Sequence, residues 1–230
     1  MTEKNITFDA VWEKKYLDNP GYRNYYPYDA IVSFVHHYTN KEIDHNKVKI
    51  LEIGCGTGNN LWFAAREGYS VFGLDGSKTA IEFAEGRFKQ DQLEGEFVVG
   101  DMTNLPYEDS FFDLVFDRAA MTLIPKKSVF ETVSEVNRVL KTEGVFFSTP
   151  FSDHDSSCYR EEDDDGLIRD IKVGTILGGS QTGFYGAAEI RKIFSTNWRL
   201  KSMIHVNKIE MLIPERAVTA EWNITAVKKK

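Results

Sequence analysis

The stretch LEIGCGTGNN, Leu51 to Asn60, decides the fold. Val48 to Ile53 is short, β-branched and nearly all apolar, which predicts a buried strand. It runs into Gly54, Gly56 and Gly58, and Asn59 to Glu67 then reads as a helix closed by Gly68. Glycine loses backbone entropy on folding and packs no side chain. Three in one turn imply that something comes close to that backbone. A strand entering a helix through such a turn is a ligand cradle, because the first-turn N–H groups are free and no side chain screens them.

The same rhythm continues outward. Ser70 to Leu74 reads as a strand ending at Asp75, and Ser77 caps a helix through about Gln92. Glu96 to Val99 ends at Asp101, and Phe111 to Phe116 ends at Asp117. A helix over Lys127 to Leu140 leads to a fifth strand, Val145 to Ser148. After Pro150 come the acidic run EEDDD and a glycine-rich segment, then a helix near 187–196 and two alternating strands near 199–209 and 218–227. The pattern predicts an α/β, Rossmann-like doubly wound sheet, mostly parallel with an antiparallel closing strand and helices on both faces.

The chain has 230 residues and a formal net charge of −7, which disfavours a nucleic-acid partner. The length suits one α/β domain with an elaboration. Two cysteines, Cys55 and Cys158, make no disulfide framework, and no window has the roughly 20 apolar residues of a membrane span. A cytoplasmic protein without a membrane partner is the expectation, as monomer or homodimer.

Two readings compete for the glycine turn. A dinucleotide fingerprint, G-x-G-x-x-G/A, would need a small residue where Asn59 stands. The other is a resemblance. Glu52-Ile53-Gly54-Cys55-Gly56-Thr57-Gly58 resembles motif I of the class I S-adenosylmethionine-dependent methyltransferases, and FFDLVFDRAAMTLIP resembles their motif IV. In that family the cofactor's methionine half lies over the glycine loop, so the glycines are expected to clear room for it. The resemblance makes Asp75, with Gly76 and Ser77, the ribose site, and sets Asp101 and Met102 at the adenine. It implies a methyl transfer to an oxygen or nitrogen of a small molecule, oxygen ahead of nitrogen. Residues 117 to 120, Asp-Arg-Ala-Ala, lack the N/D-P-P-Y/F of enzymes that methylate base or amide nitrogens. A binding module without turnover, or a nicotinamide oxidoreductase, are the rival readings.

Several side chains are expected at the site. Residues 1–45 form a helical cap in this reading, with Trp12 and Tyr16 closing over the cofactor and Arg23 pairing with its carboxylate through a bidentate fork. Glu52, Gly54, Cys55, Gly56 and Asn59 belong to the loop, where Asn59 and Thr57 either bond the cofactor or cap the helix. Asp117 and Arg118 end the fourth strand as expected cofactor contacts, Asp117 also as a catalytic candidate at the acceptor or else capping the next element. His154 is the candidate base, against the plain reading of a loop histidine. Residues 46–230 are the core, with an insertion at about 151–185 expected to make the acceptor pocket or a lid. No metal site is expected, and the acidic run is read as a solvated loop or a greeting for a cationic substrate.

Overall fold

The computed structural model describes residues 7–39, 42–159, 161–176, 181–212 and 217–230. Strands β1 (Lys49–Ile53), β2 (Ser70–Asp75), β3 (Glu96–Val99), β4 (Phe112–Asp117) and β5 (Leu140–Ser148) run parallel. A two-residue ribbon, β6 (Ile168–Arg169) and β7 (Gln181–Thr182), stands apart. The closing strands, β8 (Trp198–Ile209) and β9 (Val218–Lys228), are antiparallel, and β9 inserts between β5 and β8. The seven-stranded order is β3-β2-β1-β4-β5-β9-β8. Chain direction therefore reverses its march across the sheet between β1 and β4, and the crevice above their carboxyl ends is where such folds hold ligands.

Strand alternation sorts the core. Leu51, Ile53 and Phe146 face one side with Val133, Val136 and Trp198, while Ile50, Phe116 and Phe147 face the other with Phe34 and Leu61. Helices α1 (Val11–Asp18), α2 (Asp29–Tyr38), α3 (Asn59–Arg66) and α4 (Lys78–Gln90) precede the switch to β4. Helices α5 (Lys126–Val139) and α6 (Ala187–Ile193) follow it. Phe34 of α2 stacks on Phe147 at 5.0 Å, so the aromatic N-terminal region splits: α2 is core and α1 is not. Pro20 explains the break, opening a short 3-10 turn whose Gly21 N–H donates to Asn19 Oδ1 at 2.8 Å.

The insertion is tied down rather than loose. Arg169 pairs with Asp163 at 2.9 Å and Asp165 at 2.5 Å, and Lys126 pairs with Glu162 at 2.7 Å. Three acids of the run thus pair with cations of the chain itself while the run stays on the surface, in keeping with the reading of a solvated loop. β7 docks on the turn after β4, where Gln181 Nε2 donates to Leu123 O at 2.7 Å. That contact brings Thr182 over the strand ends.

Candidate active site

A cavity of about 460 Å³ opens above β1, β2 and β4. Its floor begins with the glycine turn. Gly54, Gly56 and Gly58 have φ of +67°, +51° and +71°, a region that side chains rarely adopt. The amides of Gly54 and Cys55 both donate to Leu74 O, at 2.7 and 3.0 Å, which folds the turn across the end of β2. A Cβ at Gly54 would stand 2.1 Å from Ala120 Cβ, one at Gly58 would stand 3.0 Å from Ala84 Cβ, and one at Gly56 would stand 2.8 Å from the Tyr16 hydroxyl. The close approach expected here is therefore made by the protein itself. Gly54 and Gly56 still line the cavity, whereas Gly58 serves backbone geometry and packing against α4.

Of the carboxylates that line the cavity, three stand at strand ends. Glu52 is buried; its Oε1 accepts from Asn60 Nδ2 at 2.7 Å and its Oε2 has no partner among the described residues. Burial, with Asp117 and Asp75 nearby, pushes its pKa well above the carboxylate range. Asp75 is buried as well, and accepts from Gly56 N and Ser77 N, each at 2.8 Å. Burial outweighs those bonds and raises it to about 6. At Asp101, burial pulls upward too, but hydrogen bonds from Thr103 and Thr7 prevail and hold the carboxyl below its ordinary value. Thr7 N donates to Asp101 Oδ2 at 2.6 Å. Met102 lies beside it on the wall, as does Cys55, whose thiol burial pushes upward.

Asp117 is sealed under the next turn. Its Oδ1 accepts from the amides of Ala120 and Met121 at 2.8 and 3.0 Å, and its Oδ2 accepts from Ser148 Oγ at 2.8 Å. Fully buried, it does not reach the cavity, so it caps the 3-10 turn Ala120–Leu123. That brace holds Ala119 at φ +60°, an unfavourable conformation for alanine, and turns Arg118 inward. Arg118 lines the cavity.

The roof comes from the N-terminal segment and the insertion. Trp12 and Tyr16 of α1 line the cavity, and the Trp12 indole N–H is buried without a partner among the described residues. Helix α1 is bolted to α4 by Glu13, which accepts from Ser77 Oγ and Thr79 Oγ1, both at 2.5 Å. Ser77 caps α4 as read, its Oγ accepting from Ala80 N at 3.0 Å, and sits outside the cavity wall. Phe8 lies over Gly76 so tightly that a Cβ there would be 2.2 Å from its ring. Asn59 Nδ2 donates to Tyr26 O at 2.8 Å and Thr57 Oγ1 to Asn24 O at 3.2 Å, so both side chains stitch loop to roof rather than cap α3.

Besides Asp117 and Ser77, two more expected residues lie outside the wall. Arg23 donates from Nε and Nη2 to Tyr16 O at 3.0 and 2.9 Å and stacks 4.0 Å over Phe83. Its fork is taken up by closing α1, and it does not line the cavity. His154 has a side chain 67% exposed, edge-on to His205 at 4.8 Å, outside the wall. Ser152 explains the placement: its Oγ lies 2.8 Å from His205 Nε2 and accepts from His154 N, holding this stretch outside the cavity wall. Sequence reasoning missed Thr7, Phe8, Glu13 and Thr182. Only the crowding of aromatics at 12–28 hinted that this segment covers something.

Residues 50–144 match the family model described as "Methyltransferase domain". Over 137 residues the chain is 32% identical to a putative methyltransferase of Geobacillus sp. (strain WCH70), covering 59% of this chain and 53% of that protein. It is 36% identical over 117 residues to a fatty-acid O-methyltransferase of Mycolicibacterium smegmatis, covering 50% and 41%. The chain thus spans about half the length of these curated relatives. A solved SAM-dependent methyltransferase from Methanosarcina mazei superposes with a TM-score of 0.69 at 22% identity, over 85% of this chain and 97% of that one. The resemblance to class I S-adenosylmethionine-dependent methyltransferases holds in sequence motif and in fold. Among the described residues, no helix is long and apolar enough to cross a membrane.

Proposed function

We propose that this chain, which carries a methyltransferase domain over residues 50–144, binds S-adenosylmethionine in the strand-end cavity and methylates an oxygen or nitrogen of a small molecule. The observation that carries the reading is the unpartnered, buried Glu52 Oε2 beside a glycine turn, in one cavity with Asp75 and Asp101. A buried acceptor without a donor is costly, about 1–3 kcal/mol, and an ammonium group of a ligand would satisfy it. Asp75 keeps acceptor capacity for vicinal hydroxyls beyond the two backbone amides. Asp101 and Met102 suit the adenine end, with Thr7 sharing the carboxylate. Trp12 and Tyr16 close the roof, and the insertion supplies the acceptor wall.

When bound, the cofactor supplies a methyl group activated on a sulfonium. The protein's part is positioning and exclusion of water, which accounts for much of the acceleration in such displacements. The fatty-acid O-methyltransferase among the relatives supports a small acceptor. Calorimetric titration with S-adenosylmethionine, and separately with NADH, tests the reading. Micromolar binding of the first alone, about −8 kcal/mol, is expected. Binding of NADH alone would overturn it.

A further inference from the structure

We infer that the methyl acceptor is a mainly apolar carboxylic acid, esterified on its carboxylate and held by Arg118 and the Thr182 hydroxyl; the inference rests on the cofactor reading above. The cavity wall built by the turn after β4 and by the insertion is apolar at Leu123, Ile124, Phe151 and Ile176. Two polar groups interrupt it. Arg118 is fixed from behind: one terminal nitrogen lies 3.1 Å from Glu221 Oε2, the other donates to Thr149 Oγ1 at 3.2 Å, and the Tyr28 ring lies 4.4 Å from the guanidinium carbon. A guanidinium has five donors in a rigid fork, so this one keeps several for a planar anion on the cavity side. Thr182 has a fully buried hydroxyl with no partner among the described residues, and it lines the same cavity.

Proton accounting points the same way. An alcohol, a phenol or an ammonium must lose a proton to become a methylated product, and a group must take it. The aspartate and the histidine expected to do so do not reach the cavity. Asp117 is sealed by three hydrogen bonds, His154 lies outside, Glu52 is assigned to the cofactor, and Arg118 stays charged. A carboxylic acid arrives ionised at neutral pH. One carboxylate oxygen forms the bond to the methyl carbon while the carbon–sulfur bond breaks. That electron pair stays on sulfur, which becomes a neutral thioether, and no proton moves.

Titrating octanoate, 1-octanol and octylamine into the protein saturated with S-adenosylhomocysteine, with parallel turnover on S-adenosylmethionine, tests this. Octanoate alone is expected to bind, and its turnover to stay flat from pH 7 to 9. The paired variant Arg118→Gln/Glu221→Gln, which leaves no buried charge unmatched, is expected to weaken octanoate on the order of tenfold or more. Thr182→Val, of the same shape, is expected to weaken it severalfold and to keep cofactor affinity within about twofold. Methylation of the alcohol or amine instead, with a rate that climbs with pH, would overturn the inference, as would variants that bind octanoate normally. Failure of S-adenosylhomocysteine itself to bind would sink the cofactor reading and this inference together.

Discussion

On the floor of the cavity Asp75 takes its hydrogen bonds from the backbone amides of Gly56 and Ser77, neighbours of the strand ends. Beneath the roof Asp101, at the next strand end, takes its bonds from Thr103 and from Thr7, 94 positions away. The first is buried and pushed up to about 6; the second is half-buried and held down. Equivalent positions in neighbouring strand–loop units thus acquire opposite electrostatics. Floor geometry is dictated by local backbone, and the roof is held by side chains reaching across the molecule.

The largest expected effect breaks the floor. Gly54→Ala combines a left-handed φ with a 2.1 Å collision against Ala120 and should cost about 3 kcal/mol or more, read by denaturant unfolding. Next, Asp75→Asn should weaken S-adenosylmethionine at least about tenfold at pH 7.5, read by calorimetry. The wild-type affinity should itself fall as pH drops through about 6, where Asp75 gains its proton. Folding stability should respond in the opposite sense. The raised native pKa means that the folded state binds this proton more readily than the unfolded chain, so the group's contribution falls as pH rises between about 4 and 6. Asp75→Asn should reduce that slope in a series of urea melts, Asp117, raised by burial to about 6 as well, supplying part of the remainder.

The roof should yield more gently. Glu13→Gln weakens the bonds to Ser77 and Thr79 and should cost about 1 kcal/mol while lowering cofactor affinity severalfold. Hydrogen exchange should then quicken across residues 7–22 and leave the amides of β1 protected; equal quickening in both would erase the contrast between floor and roof. The smallest effect has the opposite sign. Gly86, exposed within α4 and without any atom within 4 Å of a built Cβ, should stabilise by about 0.5–1 kcal/mol as alanine.

Most of the floor was legible because its signals are local. VKILEI announces β1, Ser77 announces α4, and the strand-closing acids Asp75 and Asp101 mark the crevice, while Asp117, closing a strand in the same way, is sealed away from it. Boundaries slipped where tertiary pairing extended an element: β5 begins at Leu140, five residues before the apolar run suggests, because Phe112 pairs with it. Arg23 and His154 show the other kind of miss. A fork-shaped cation in the N-terminal cap and an imidazole just past a strand end look suited to a site, yet the first is spent on Tyr16 O and the second is held beside His205, as the packing of the chain decides.

By itself the sequence determined the order of strands and helices, the left-handed turn that only glycine takes cheaply, and the three acids at strand ends. These follow from periodicity and from steric limits on single residues. Only the tertiary structure decided that Gly54 makes way for Ala120, that Asp117 braces a turn instead of facing a ligand, and that Thr7 and Thr182 reach the cavity. Those outcomes depend on which side chains meet across long separations, and no local pattern encodes that meeting.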